Sequence, residues 1–117
     1  MSYPLTDETA TYALIFLIVG ADGSTSFKEQ KAAQRALDTL DYDAGKNLQV
    51  AHSHFGGMST QHLKELIEGA ISYAKRNFSD DKKRFTYQLL ETIAMSNGDI
   101  NNLEQKNLDR IKSEFGI

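Results

Sequence analysis

The chain contains no cysteine and no tryptophan, and only one proline, Pro4, in 117 residues. Without cysteine there is no disulfide framework, no thiolate zinc site, no cysteine nucleophile and no iron–sulfur cluster. With proline confined to position 4, no proline interrupts a helix anywhere downstream. Long apolar runs are also missing. The longest, Tyr12 to Val19, falls far short of the ~20 residues needed to span a bilayer. No positive charge precedes Lys28, while Asp7 and Glu8 stand before the apolar run. A secretory leader needs the opposite order, so a cytoplasmic location is expected. The net charge is −3, with seven acids against four bases in residues 1–58 and nine of each in 59–117. A mildly acidic chain is repelled by phosphate backbones, which disfavours nucleic acid as the main partner.

What is present is a phrase used twice. Asp22-Gly23-Ser24-Thr25-Ser26-Phe27-Lys28-Glu29-Gln30-Lys31 is echoed by Asn97-Gly98-Asp99-Ile100-Asn101-Asn102-Leu103-Glu104-Gln105-Lys106. Each copy follows an apolar run and ends in a capping box, Ser26 with Glu29 and Asn101 with Glu104. The reading is one helix–loop–helix unit repeated within a single all-α domain covering residues 1–117, the units running over about 6–40 and 79–115.

Apolar residues recur at helical spacing throughout, which predicts a bundle of about six helices. Thr6 caps the first, which runs to about Val19 and lacks a polar face in its C-terminal half. The second starts at Ser26, with Ala33, Ala36, Leu37 and Leu40 inward. A third covers about Ala44 to Ser53, before Gly56-Gly57. Ser59 or Thr60 caps the fourth, with Leu63, Leu66, Ile67, Ala70, Ile71 and Ala74 inward. Ser79 caps the fifth, with Asp80 and Asp81 in its first turn and Phe85, Leu89, Leu90 and Ile93 inward. The last presents Leu103, Leu108, Ile111 and Phe115 and stops at Gly116. Phe16 and Phe27 join Phe85 and Phe115 as expected core.

An apolar helix running into Ala21-Asp22-Gly23, a short polar loop, and Glu29 at the start of the next helix resembles the tellurite-resistance TerB-like family. The second copy, Ser96-Asn97-Gly98 through Glu104, and the ending Phe115-Gly116-Ile117 are similar to that family's pattern too. The resemblance implies an all-α domain with internal near-two-fold repetition, a bacterial cytoplasmic role in chemical stress, and divalent-metal binding through acidic loop residues. Asn97 and Ser96 depart from the pattern, where the family tends to have Asp and Ala; Asp99 supplies a nearby charge.

Read on its own residues, each phrase matches the second half of an EF-hand calcium loop. The opening carboxylates are missing, since Ile18, Gly20, Ile93 and Met95 occupy their places. The candidate cation ligands are therefore Asp22, Ser26 and Glu29 in one loop and Asn97, Asp99, Asn101 and Glu104 in the other. Calcium takes six to eight oxygens, so such a site would bind Ca²⁺ or Mg²⁺ weakly or be shared between loops. A purely structural reading accounts for the same residues: glycine ends a helix, Asp and Asn favour turns, and the glutamate belongs to a capping box.

His52, His54 and His62 crowd around Gly56-Gly57, but their spacing fits no zinc pattern, and a solvated or capping role is expected. Lys75, Arg76, Lys82, Lys83 and Arg84 form a basic cluster, expected as a solvated face or as a dock for an acidic partner or an anionic surface. Neither a nucleophile–base–acid set nor a phosphate-cradling glycine loop occurs. The expectation is a non-enzymatic binding module with a protein partner and a weak divalent cation. The alternatives are metal-assisted hydrolysis at the loop carboxylates and a scaffold without metal.

Overall fold

The computed structural model describes residues 5–19, 31, 35, 50–51, 53–95 and 102–117. Its long helices are α1 (Asp7–Val19), α2 (Thr60–Asn77), α3 (Asp80–Ala94) and α4 (Asn102–Phe115). Residues 50–51 and 53–56 are helical as well, as are Lys31 and Arg35 within the expected second helix, and no strand occurs among the described residues. The architecture is all-α.

The helix starts follow from side-chain caps. Thr6 Oγ1 accepts from the Thr9 N–H at 3.1 Å, while the Thr6 N–H donates to Thr9 Oγ1 at 2.7 Å. This is the reciprocal logic of a capping box with threonine in the glutamate position. Ser59 Oγ accepts from the His62 N–H and Ser79 Oγ from the Lys82 N–H, both at 3.2 Å. Ser59, not Thr60, is therefore the cap of α2. At the far end, Gly116 has φ of 70°, the Ile117 N–H donates to the Lys112 carbonyl and the Gly116 N–H to that of Ser113. That pair of bonds is a Schellman stop, which a left-handed residue makes possible.

Beyond its acidic first turn α1 has no polar face, and such a helix is stable only when enclosed. It packs against α2, α3 and α4, and α4 in turn packs against α1, α2 and α3. Ala10, Tyr12, Ala13, Leu14, Ile15 and Ile18 are buried, as is Thr11, whose hydroxyl donates to the Asp7 carbonyl at 2.7 Å. Burial thus reaches further back along α1 than its apolar C-terminal half, while Phe16 and Leu17 are only half-buried. The facing core comes from Leu66, Ala70, Ile71 and Ala74 of α2, Leu89, Leu90 and Ile93 of α3, and Leu108, Ile111 and Phe115 of α4. Each fully buried large aliphatic chain contributes about 1.5–3 kcal/mol of transfer free energy.

Three expectations need correction. The helix before Gly56-Gly57 does not end near Ser53 but continues to Gly56, because Phe55 is fully buried and meets Phe16 edge-on at 5.5 Å between ring centroids. Phe85 is 41% exposed and Leu103 43% exposed, so neither is core. In each case the next residue, Thr86 or Glu104, is buried in its place. One residue is a rotation of about 100°. The stripes Thr86, Leu89, Leu90, Ile93 and Glu104, Leu108, Ile111, Phe115 both begin on a polar side chain. The two Asx-Gly loops, the second-helix residues 32–34 and 36–40, and Phe27 lie outside the described residues.

Candidate ligand-binding site

Of the candidate cation ligands, Asp22, Ser26, Glu29, Asn97, Asp99 and Asn101 fall outside the described residues; Glu104 does not. It sits in the first turn of α4, where a carboxylate favourably meets the helix dipole, and is only 6% exposed. That placement is the one expected for the glutamate of a capping box. Among the described residues, no group of three or more His, Asp or Glu side chains is arranged to hold a metal ion.

Two of the three histidines do come together. His54 and His62 line a cleft of about 600 Å³ between the 53–59 turn and the first half of α2. The remaining lining is Leu5, Ser53, Gly57, Met58, Ser59, Glu65, Leu66 and Gly69. His52 lies outside the described residues. The turn is built by backbone bonds, from the Gly57 N–H to the Ser53 and His54 carbonyls and from the Met58 N–H to the Phe55 carbonyl. Buried Phe55 anchors the turn to the core. Across the cleft, Leu5 rests over Gly69, where a Cβ would stand 3.4 Å from Leu5 Cδ1. The histidines alone did not reveal this site. His62, Glu65 and Gly69 follow i, i+3, i+7 spacing on α2, and that stripe is the signal that would have found it.

The basic cluster is largely engaged within the chain. Lys82 Nζ is 2.8 Å from Asp7 Oδ2 and lies 4.6 Å from the centre of the Phe78 ring. Tyr73 OH donates to Asp7 Oδ1 at 2.9 Å, and its ring meets Phe78 edge-on at 6.4 Å. The Lys82 hydrogen bond, above all, holds the Asp7 carboxyl below its ordinary range; burial opposes it, and the Tyr73 hydroxyl and the Lys82 charge reinforce it. Lys75 pairs with Glu114 and Arg84 with Asp81, each at 3.7 Å, and Arg76 Nε donates to the Ser72 carbonyl at 3.3 Å. The pairs at 3.7 Å are exposed and contribute little. Along the same α2–α4 seam as Lys75 and Glu114, Arg110 of α4 pairs with Glu68 of α2. Between α3 and α4, burial and then the nearby Glu91 and Asp109 push the Tyr87 hydroxyl upward, while Lys112 lies over its ring at 5.9 Å.

The fold is a small all-α module in which Thr6, Ser59 and Ser79 cap helices and Asp7, Lys82, Glu68 and Arg110 tie one helix to another. The family model for tellurite resistance protein TerB matches residues 8–117, and the chain belongs to that family. No curated protein and no solved structure matches it. No helix among the described residues is long and apolar enough to cross a membrane.

Proposed function

We propose that this chain is a non-enzymatic binding module of the bacterial cytoplasm that serves in the response to chemical stress by docking on a protein partner. A weak Ca²⁺ or Mg²⁺ ion held by Asp22, Ser26 and Glu29 together with Asn97, Asp99, Asn101 and Glu104 would set the mutual position of the two loops. The observation that carries this reading is the family match across residues 8–117, which includes both Asx-Gly phrases. Glu104 adds support as a buried carboxyl group in the first turn of α4, at the start of the helix that follows the second phrase. The engagement of Asp7, Glu68, Lys82 and Arg110 in ties between helices also fits a protein that presents a surface rather than performs a reaction.

The test is a titration of the ¹⁵N-labelled chain with Ca²⁺ and Mg²⁺, following the Gly23 and Gly98 amides. Saturable shifts at both glycines, weakened by Glu29→Gln and by Glu104→Gln, are expected. Unmoved glycine signals at millimolar metal would remove the cation from the proposal.

A further inference from the structure

The cleft beside α2 has the dimensions and the lining of a small-molecule site. Such sites run from about 300 to 1,000 Å³ and combine an apolar bed with a few polar groups; this one is about 600 Å³. Its bed is Leu5, Met58, Leu66 and Gly69, of which Leu66 is buried and the others half-buried. Gly69 contributes by having no side chain, which leaves Leu5 to form the wall above it.

The polar groups choose the ligand's charge. Among the described lining residues there is one carboxylate, Glu65, and neither lysine nor arginine. His62 precedes Glu65 by three positions on the same helix face, and His54 comes from the opposing turn. A neutral imidazole offers an acceptor nitrogen, and a carboxylate accepts several hydrogen bonds. The bond that Glu65 Oε1 accepts from Gln61 Nε2 at 3.0 Å therefore does not exhaust it. The positive end of the α2 dipole opposes a cation beside His62 in the first turn, but that field fades within the turn, and the charged partner, Glu65, stands in the second.

We propose that this cleft binds a small amphipathic organic cation, a primary ammonium group carried on a short apolar chain. The chain lies over Leu5, Met58 and Leu66, and the ammonium donates to the Glu65 carboxylate and to an imidazole nitrogen of His62. The proposal uses none of the Asx-Gly loop residues, so it stands or falls independently of the divalent cation.

The test uses the full ¹⁵N-labelled chain in metal-free buffer, titrated with hexylammonium chloride, with hexanoate and 1-hexanol as comparators of equal chain length. Hexylammonium is expected to shift the Gly57, His62 and Gly69 amides along a saturable curve in the millimolar range. Hexanoate should not, and hexanol should bind more weakly. Glu65→Gln should weaken hexylammonium by at least about threefold, the scale of a solvent-accessible ion pair. Ser53→Trp, at an exposed position, should abolish the response by filling the cleft. The proposal is overturned if the three amides show no saturable shift, if hexanoate or hexanol binds as tightly as the amine, or if either variant binds hexylammonium like the parent chain.

Discussion

Lys82 on α3 reaches Asp7 at the start of α1, its Nζ 2.8 Å from Oδ2, although the two are 75 residues apart in the chain. Tyr73 on α2 meets the other carboxylate oxygen, so one aspartate ties three helices. Asp7 is 46% exposed and Lys82 27%, and solvent screening reduces what the pair contributes. Asp7→Asn should cost about 0.5–1 kcal/mol at neutral pH, read as a fall in the urea midpoint. The sign of its pH dependence follows from the direction of the shift. The folded carboxyl lies below its unfolded value, so the stabilisation is fully present above that unfolded value and is lost as pH falls through the folded one. The gap between parent and Asp7→Asn should accordingly close on acidification through the lower carboxylate range; a gap that widens there would contradict the tie.

The polar starts of the inner stripes on α3 and α4 make a second prediction. Leu90 is fully buried, whereas Phe85 on the same helix is 41% exposed. Leu90→Ala should therefore cost about 2–5 kcal/mol by leaving a cavity. Phe85→Ala should cost clearly less despite removing a larger side chain. Chemical denaturation of the two variants decides the register directly, and a larger loss for Phe85 would place α3 in the wrong rotation.

Glu104 is the buried polar group whose substitution separates architecture from ligand binding. A buried polar side chain keeps its place only with hydrogen-bonding partners. Glu104→Gln retains much of that capacity and Glu104→Ala retains none. The expected losses are below about 1 kcal/mol for the amide and about 1–3 kcal/mol for alanine, measured without metal. If Glu104 also serves a cation, adding Ca²⁺ should raise the melting temperature of the parent and not that of the Gln variant.

How much of this was legible from residues alone differs between helix ends and helix faces. The ends were readable because caps are local: Ser59, Ser79 and Gly116 act on groups within three to five residues of themselves. The faces were readable where apolar residues stand unopposed, as in Leu66, Ala70, Ile71 and Ala74. They failed at Phe85 and Leu103, where two adjacent positions compete and the choice depends on helices distant in sequence. The end of the helix before Gly56 depends on the same kind of distant contact, since Phe55 is held by a ring on α1. The cleft was hidden because three of its walls, at Leu5, at 53–59 and on α2, meet only in the folded chain. The family phrase was visible in full, because it depends on spacing within ten residues.

Local caps supply the last prediction. The Ser79 hydroxyl satisfies the Lys82 N–H, and Lys82 in turn carries the ammonium that reaches Asp7. Ser79→Ala removes the acceptor and should cost about 0.5–2 kcal/mol, while Ser79→Gly should cost only a few tenths by comparison. Because a frayed first turn of α3 would also loosen Lys82, the losses from Ser79→Ala and Asp7→Asn should overlap rather than add. The double variant, measured by chemical denaturation beside both single ones, should lose less than their sum by a few tenths of a kcal/mol or more. Strict additivity would mean that the cap and the three-helix tie act independently, and that Lys82 is positioned by its contact with the Phe78 ring instead.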